Sequence, residues 1–182
     1  QSFFPFCDEL LEKYKNDERV GMITGMNHLG EFNEADTDYF FANVGSIAGW
    51  ATWKRNWESA SYDLCDIAND SVAMRLLKQY EEFAPNRNTI YQNIIKKHEA
   101  MKNGQKMSSW STQIGVMGTL NSRLVIVPRV NLMSNIGLTA ESANSVSDIK
   151  FIQRGLRPLY QLKLYEMDFP LKHPKYVFND IE

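Results

Sequence analysis

The sequence predicts an α/β domain, a sheet covered by helices, on two observations. Three short apolar runs, "RVGMITG", "DYFFAN" and "RLVIVP", have the length and β-branched or aromatic content of strands. Between them lie segments of helical period, and strands alternating with helices build a layered α/β fold.

The elements follow in order. In "SFFPFCDELLEKY", Phe3, Phe6, Leu10 and Tyr14 form one apolar row and Phe4, Cys7 and Leu11 its neighbour, with Pro5 tolerated in a first turn. "RVGMITG" reads as a buried strand ended by Gly25, followed by a loop from Met26 to Asp38 and a second strand at "DYFFAN". "GSIAGWATWKRNW" holds three of the four tryptophans. Trp50, Trp53 and Trp57 stand at i, i+3 and i+7, which predicts one helical stripe, with Lys54, Arg55 and Asn56 facing away. Trp53 and Trp57 are expected in the core, and Trp50, after Gly49, in a pocket wall. Helices are expected over Ser71–Glu82, from Asn88 to a stop at Gly104, and near Trp110–Leu120, before the strand "RLVIVP". The tail from Ser145 has weak periodicity and is expected to wrap or cover the sheet. The chain opens at Gln1 directly into a helical pattern, which predicts that sequence precedes it.

Composition narrows the function. The 182 residues suit one domain able to bury a core without staples. With 43% hydrophobic and 23% charged residues and a formal charge of -2, the chain is not built for polyanions, so nucleic acid is not an expected partner. Cys7 and Cys65 are expected as reduced thiols. No run of about 18 apolar residues marks a transmembrane helix.

Few residues offer chemistry on local pattern alone. His28, His98 and His173 lack neighbouring partners in the sequence, and His98 fits a satisfied, partly buried histidine. No Cys or His pair has zinc spacing. Asp36 and Asp38 form a D-x-D pair, but it precedes an apolar strand where a metal motif would end one, so solvated acids or a strand cap are expected. In "RVNLMSNIG", Asn131 and Asn135 flank a short apolar element, and Asn27 follows a strand in "ITGMN". Such amides suit recognition of sugar hydroxyls and equally suit backbone hydrogen bonds in turns.

"SFFPFCDELLEKYKNDERVGMITGMN", "DYFFANVGSIAGWATWKRNW" and "SSWSTQIG" with "LVIVPRVNLMSNIG" together resemble bacterial nucleotide-diphospho-sugar transferases of the GT-A type, a group sometimes labelled hemolytic-protein-like. The likeness covers most of residues 2 to 140. Its most specific pieces are Gly49-Trp50-Ala51-Thr52-Trp53 with Trp57, and Pro128-x-Val130-Asn131-Leu132-x-x-Asn135-Ile136-Gly137.

The resemblance implies a Rossmann-like mixed sheet flanked by helices. Residues 1–144 would be the acceptor-side part, 145–182 an extension packing on it, and the nucleotide-binding half would be absent from this chain. It implies an inverting glycosyltransferase moving a sugar from a nucleotide-diphosphate donor to a cell-surface glycan, in the cytoplasm, free or at a membrane surface. A divalent cation, manganese or magnesium, would be held mainly by acids upstream of Gln1. Asn27, Gly49, Trp50, Trp110, Asn131 and Asn135 would line the sugar sites. Family members often carry an acidic base after the tryptophan matching Trp110, where this chain has Ser111, so Ser111 or Glu141 is the catalytic candidate. The resemblance implies a metal-binding histidine after "NIG", matched here by "TAESANS", whose Asn144 is the metal candidate. The alternative is a degenerate, non-catalytic sugar- or nucleotide-binding module of the same fold.

Overall fold

The computed structural model describes residues 2–32, 36–60, 64–83, 90–105, 110–136, 149–152, 157 and 159–180. The chain divides into two compact units, one of residues 1–52 with 124–182 and one of residues 53–123. The tail beyond residue 144 thus belongs to the unit that holds the sheet.

The first unit contains α1 (Phe3–Lys13), β1 (Val20–Thr24), β2 (Tyr39–Ala42), β3 (Trp50–Thr52) and β4 (Leu124–Pro128). The strands form a mixed sheet in the order β2-β4-β1-β3. β1 and β4 run parallel, while β3 on β1 and β2 on β4 are antiparallel. β1 is buried along its whole length, as expected of an inner strand covered on both faces. β2 alternates, with Tyr39 and Phe41 buried. These two rings meet α1: Phe6 and Tyr14 lie 6.2 and 6.3 Å from Tyr39, and Tyr14 lies 5.7 Å from Phe41, all edge to face. Burial of each such side chain contributes about 1.5 to 3 kcal/mol. On the opposite face Met22, Val125 and Val127 form a second cluster, flanked by Phe40, Ala42 and Trp50.

Residues 161–180 run as a strap without helix. The Asn131 side chain donates to the Lys163 carbonyl, and Tyr165 N–H donates to the Asn131 carbonyl, both at 3.0 Å. Leu171 N–H reaches Glu9, Lys172 pairs with Asp38, and Asn179 bridges to Phe41 on β2. β2 is an edge strand, so the strap shields part of a row of backbone groups otherwise open to pairing.

The second unit is helical, with α2 (Lys54–Glu58), α3 (Cys65–Asn69), α4 (Ser71–Phe83), α5 (Ile90–Lys102) and α6 (Ser111–Leu120). Leu64, Ile67, Leu77, Ile90, Ile94 and Val116 are its core. α5 ends before Gly104, whose φ of +76° suits a residue without a Cβ. Asn88, the expected N-cap, lies outside the described residues.

The tryptophan segment departs from the single helix its spacing predicts. Trp50–Thr52 is strand β3, paired with Met22–Thr24, and α2 starts only at Lys54. Trp53 caps α2 in an extended conformation (φ -102°, ψ 153°), and the Arg55 guanidinium lies 4.3 Å from its ring centre. Pairing of Trp50 and Thr52, both good strand formers, along β1 outweighs an i, i+3, i+7 pattern too short to propagate a helix. Trp57 is 45% exposed instead of lying in the core. Asn56, expected to face away, is buried and accepts a 2.6 Å hydrogen bond from Arg123.

Candidate functional site

The strand directions bring four ends to one edge of the sheet. Parallel β1 and β4 finish there at Thr24 and Pro128, and antiparallel β3 and β2 begin there at Trp50 and Tyr39, opposite those two residues. In open α/β sheets ligands bind at the carboxyl ends of parallel strands, where loops fan out and unpaired groups collect. Asn27, Gly49, Trp50, Asn131 and Asn135 lie at or just beyond this edge.

Asn27 and Asn131 knit the two loops together. The Asn27 amide nitrogen donates to the Pro128 and Arg129 carbonyls at 3.0 Å each, and its oxygen accepts Leu29 N–H at 2.9 Å. The Asn131 oxygen accepts Asn27 N–H at 3.0 Å while its nitrogen holds Lys163 on the strap. With 1% and 0% exposure, both side chains hold backbone in place and lie out of reach of a sugar hydroxyl. Of the two roles open to these amides, the backbone one is built here. Asn135 is partly buried on the same loop.

Gly49 and Gly25 carry the close packing of the edge. Gly25 N–H donates to the Gly49 carbonyl at 2.8 Å, and the Gly25 carbonyl accepts Leu132 N–H at 2.9 Å. Met133 lies across both: a Cβ on either glycine would fall 2.5 Å from its Cγ. Gly49 also has φ +63°, the left-handed region that favours glycine. Its role is thus to admit Met133 and turn the chain into β3. Trp50 then emerges partly buried, resting on the Met22, Val125 and Val127 cluster, with exposed His28 on the neighbouring loop. Its indole is a large aromatic surface at this edge that solvent also reaches.

The helical unit holds two more candidates. Trp110 precedes α6 and is 39% exposed, and its ring centre lies 5.5 Å from that of Trp57 at an interplanar angle of 58°. Ser111 is the first residue of α6. Glu141 and Asn144 lie outside the described residues. Among the described residues no three His, Cys, Asp or Glu side chains gather as a metal-ligand set. The Asp38 carboxylate accepts Lys172 N–H at 2.7 Å.

The thiols stay unlinked. Burial, then the Asp8 charge, pushes the Cys7 thiol up to about 12, so it is protonated and inert at neutral pH. His98 is buried, with its Nδ1 3.6 Å from Cys65 Sγ. The sequence pattern missed Met133, whose glycine partners lie far away along the chain, and the partners of His173, which belong to α1 and β2.

A scan against protein-family models, a search of the curated proteins and a search of the solved structures each find no match.

Proposed function

We propose that this chain is the acceptor-side part of a GT-A-type glycosyltransferase that moves a sugar from a nucleotide-diphosphate donor to a glycan hydroxyl with inversion. The observation that supports this reading is the convergence of the carboxyl ends of β1 and β4 with the Gly49–Trp50 turn at one sheet edge, with an indole partly open there. The C–H face of a pyranose packs on an indole, whose edge donates one hydrogen bond. Asn27 and Asn131 serve by holding the loops around that surface, since a displaced wall costs rate as surely as a lost contact.

In the proposed reaction the acceptor hydroxyl oxygen bonds to the anomeric carbon as the bond from that carbon to the diphosphate breaks, and the hydroxyl proton passes to a base. Ser111 is a poor base at neutral pH, which leaves Glu141 as the carboxylate candidate. A divalent cation, when bound, would stabilise charge on the departing diphosphate. Among the described residues no three His, Cys, Asp or Glu side chains gather, and no described side chain is assigned to it. The proposed setting is the cytoplasm, free or at a membrane surface; among the described residues no helix is long and apolar enough to cross a membrane.

The test is a hydrolysis and transfer screen of the full-length protein against common nucleotide sugars with manganese and magnesium. Metal-dependent turnover of at least one donor supports the proposal. Saturable sugar binding without turnover supports the non-catalytic module, for which Ser111 in place of an acid already speaks. Neither binding nor turnover would overturn both.

A further inference from the structure

Away from the candidate edge, four side chains form a continuous run of polar contacts between α1, β2 and the strap, two of them hydrogen bonds and the third an ion-pair contact. Tyr14 and Tyr39 hydroxyls meet at 2.6 Å, Tyr39 Oη lies 3.0 Å from His173 Nδ1, and His173 Nε2 lies 3.3 Å from Glu9 Oε1. The same Glu9 oxygen accepts Leu171 N–H at 3.0 Å. Beside it Lys172 N–H donates to the Asp38 carboxylate at 2.7 Å, and the Lys172 carbonyl accepts Asp38 N–H at 2.9 Å.

The directions of these bonds follow from the donor inventory. A carboxylate only accepts, so the neutral imidazole places its proton on Nε2 toward Glu9 and leaves Nδ1 as acceptor. Tyr39 then donates to Nδ1 and Tyr14 donates to Tyr39. Nδ1 is hydrogen-bonded to Tyr39 and Nε2 faces the Glu9 carboxylate, so the ring is directed at α1 and β2. Protonation makes both nitrogens donors and reverses the chain. The Tyr39 proton must then turn toward Tyr14, and the Tyr14 proton must leave the pair, at two rings that are 0% and 6% exposed.

We infer that Glu9, His173, Tyr39 and Tyr14 form a proton-sensitive clasp that holds the C-terminal strap closed at neutral pH and loosens it in mild acid. The groups around His173 oppose one another. Burial, then Lys13 on α1, lowers its imidazole below the usual histidine range, while Glu9 on α1 and Asp38 before β2 raise it, and the net direction is down. Lys172, next to His173 on the strap, points no acceptor at the ring. A histidine lowered in the folded state contributes stability above its unfolded pKa, and that contribution is lost as pH falls through the folded value. The window lies below the ordinary histidine pKa of about 6.5. Loosening reaches the candidate edge, because the strap also carries Lys163 and Tyr165 against Asn131, which holds Asn27. The clasp rests on these contacts alone and stands whether or not the protein transfers sugar.

Amide hydrogen exchange on the full chain, expressed as protection factors between about pH 7.5 and about pH 5.5, above the ordinary carboxylate range, tests it. The expected result is a loss of protection at Tyr165, Leu171 and Lys172 in acid, with the α5 amides unchanged. His173→Gln, which cannot ionise, should abolish that pH dependence. Tyr39→Phe keeps the ring and removes the hydroxyl, so it should raise the His173 pKa read by NMR. Unchanged protection across the range, an equal loss in His173→Gln, or a His173 pKa unmoved by Tyr39→Phe would overturn the clasp.

Discussion

Replacing Gly49 by alanine tests how the candidate edge is built. Two independent terms oppose the change. The left-handed φ of +63° costs a residue with a Cβ about 1 to 2 kcal/mol. The new methyl would also stand 2.5, 2.7 and 3.1 Å from Met133 Cγ, Cε and Cβ, and forcing an extra methyl into packed surroundings costs about 1 to 3 kcal/mol. Gly49→Ala should therefore cost roughly 2 to 5 kcal/mol in the sheet unit. The two terms separate in a double-mutant cycle: Met133→Ala removes Cγ and Cε and leaves only the Cβ contact at 3.1 Å, so most of the packing term goes and Gly49→Ala should cost little more than the backbone term of about 1 to 2 kcal/mol. Urea unfolding followed through NMR signals of Ile23 and Val125, both in the sheet unit, reads each variant. The same cost in both backgrounds would show that Met133 does not occupy the space over Gly49. No cost in either would show that the backbone there is not left-handed.

Asn131→Ala should destabilise the sheet unit by about 2 to 3 kcal/mol, because it leaves the Asn27 N–H and the Lys163 carbonyl without their partner, and urea midpoints measure it. Trp57→Ala should cost about 2 kcal/mol in a thermal melt, below the range for a fully buried tryptophan, since nearly half of the residue is exposed. Under native conditions at neutral pH, iodoacetamide should modify Cys65 before Cys7, whose burial and raised pKa protect it until unfolding; mass spectrometry of peptides gives the order.

Long periodic segments were legible. The apolar row Phe3, Phe6, Leu10 and Tyr14 of α1 is buried as read, and β1, β2 and β4 stand at the three apolar runs. α4, α5 and α6 also fall where their periodicity places them. The tryptophan segment was misread because a three-residue edge strand has no period of its own, whereas 50, 53 and 57 imitate a helical face. What makes it a strand is β1, which lies elsewhere in the chain. The strap's attachment was anticipated only in outline, since its anchors are backbone groups bonded to Glu9, Asp38 and Asn131 without any repeat. At the candidate edge the sequence marked Asn27, Gly49 and Asn131 as loop residues of consequence. That Asn27 and Asn131 bond each other across 104 positions is set by the parallel pairing of β1 and β4, which no local pattern encodes.

The most direct measurement of the proposed sugar surface is a titration of the isotope-labelled chain with a panel of methyl hexopyranosides at millimolar concentration, followed by NMR. Saturable shifts should appear at the Trp50 indole N–H and at the amides of Thr24, His28 and Asn135, and Trp50→Ala should remove the binding while the sheet signals persist. Saturation at a different set of residues with these signals unmoved, or no binding of any glycoside, would contradict the placement of a sugar at the carboxyl edge of β1 and β4.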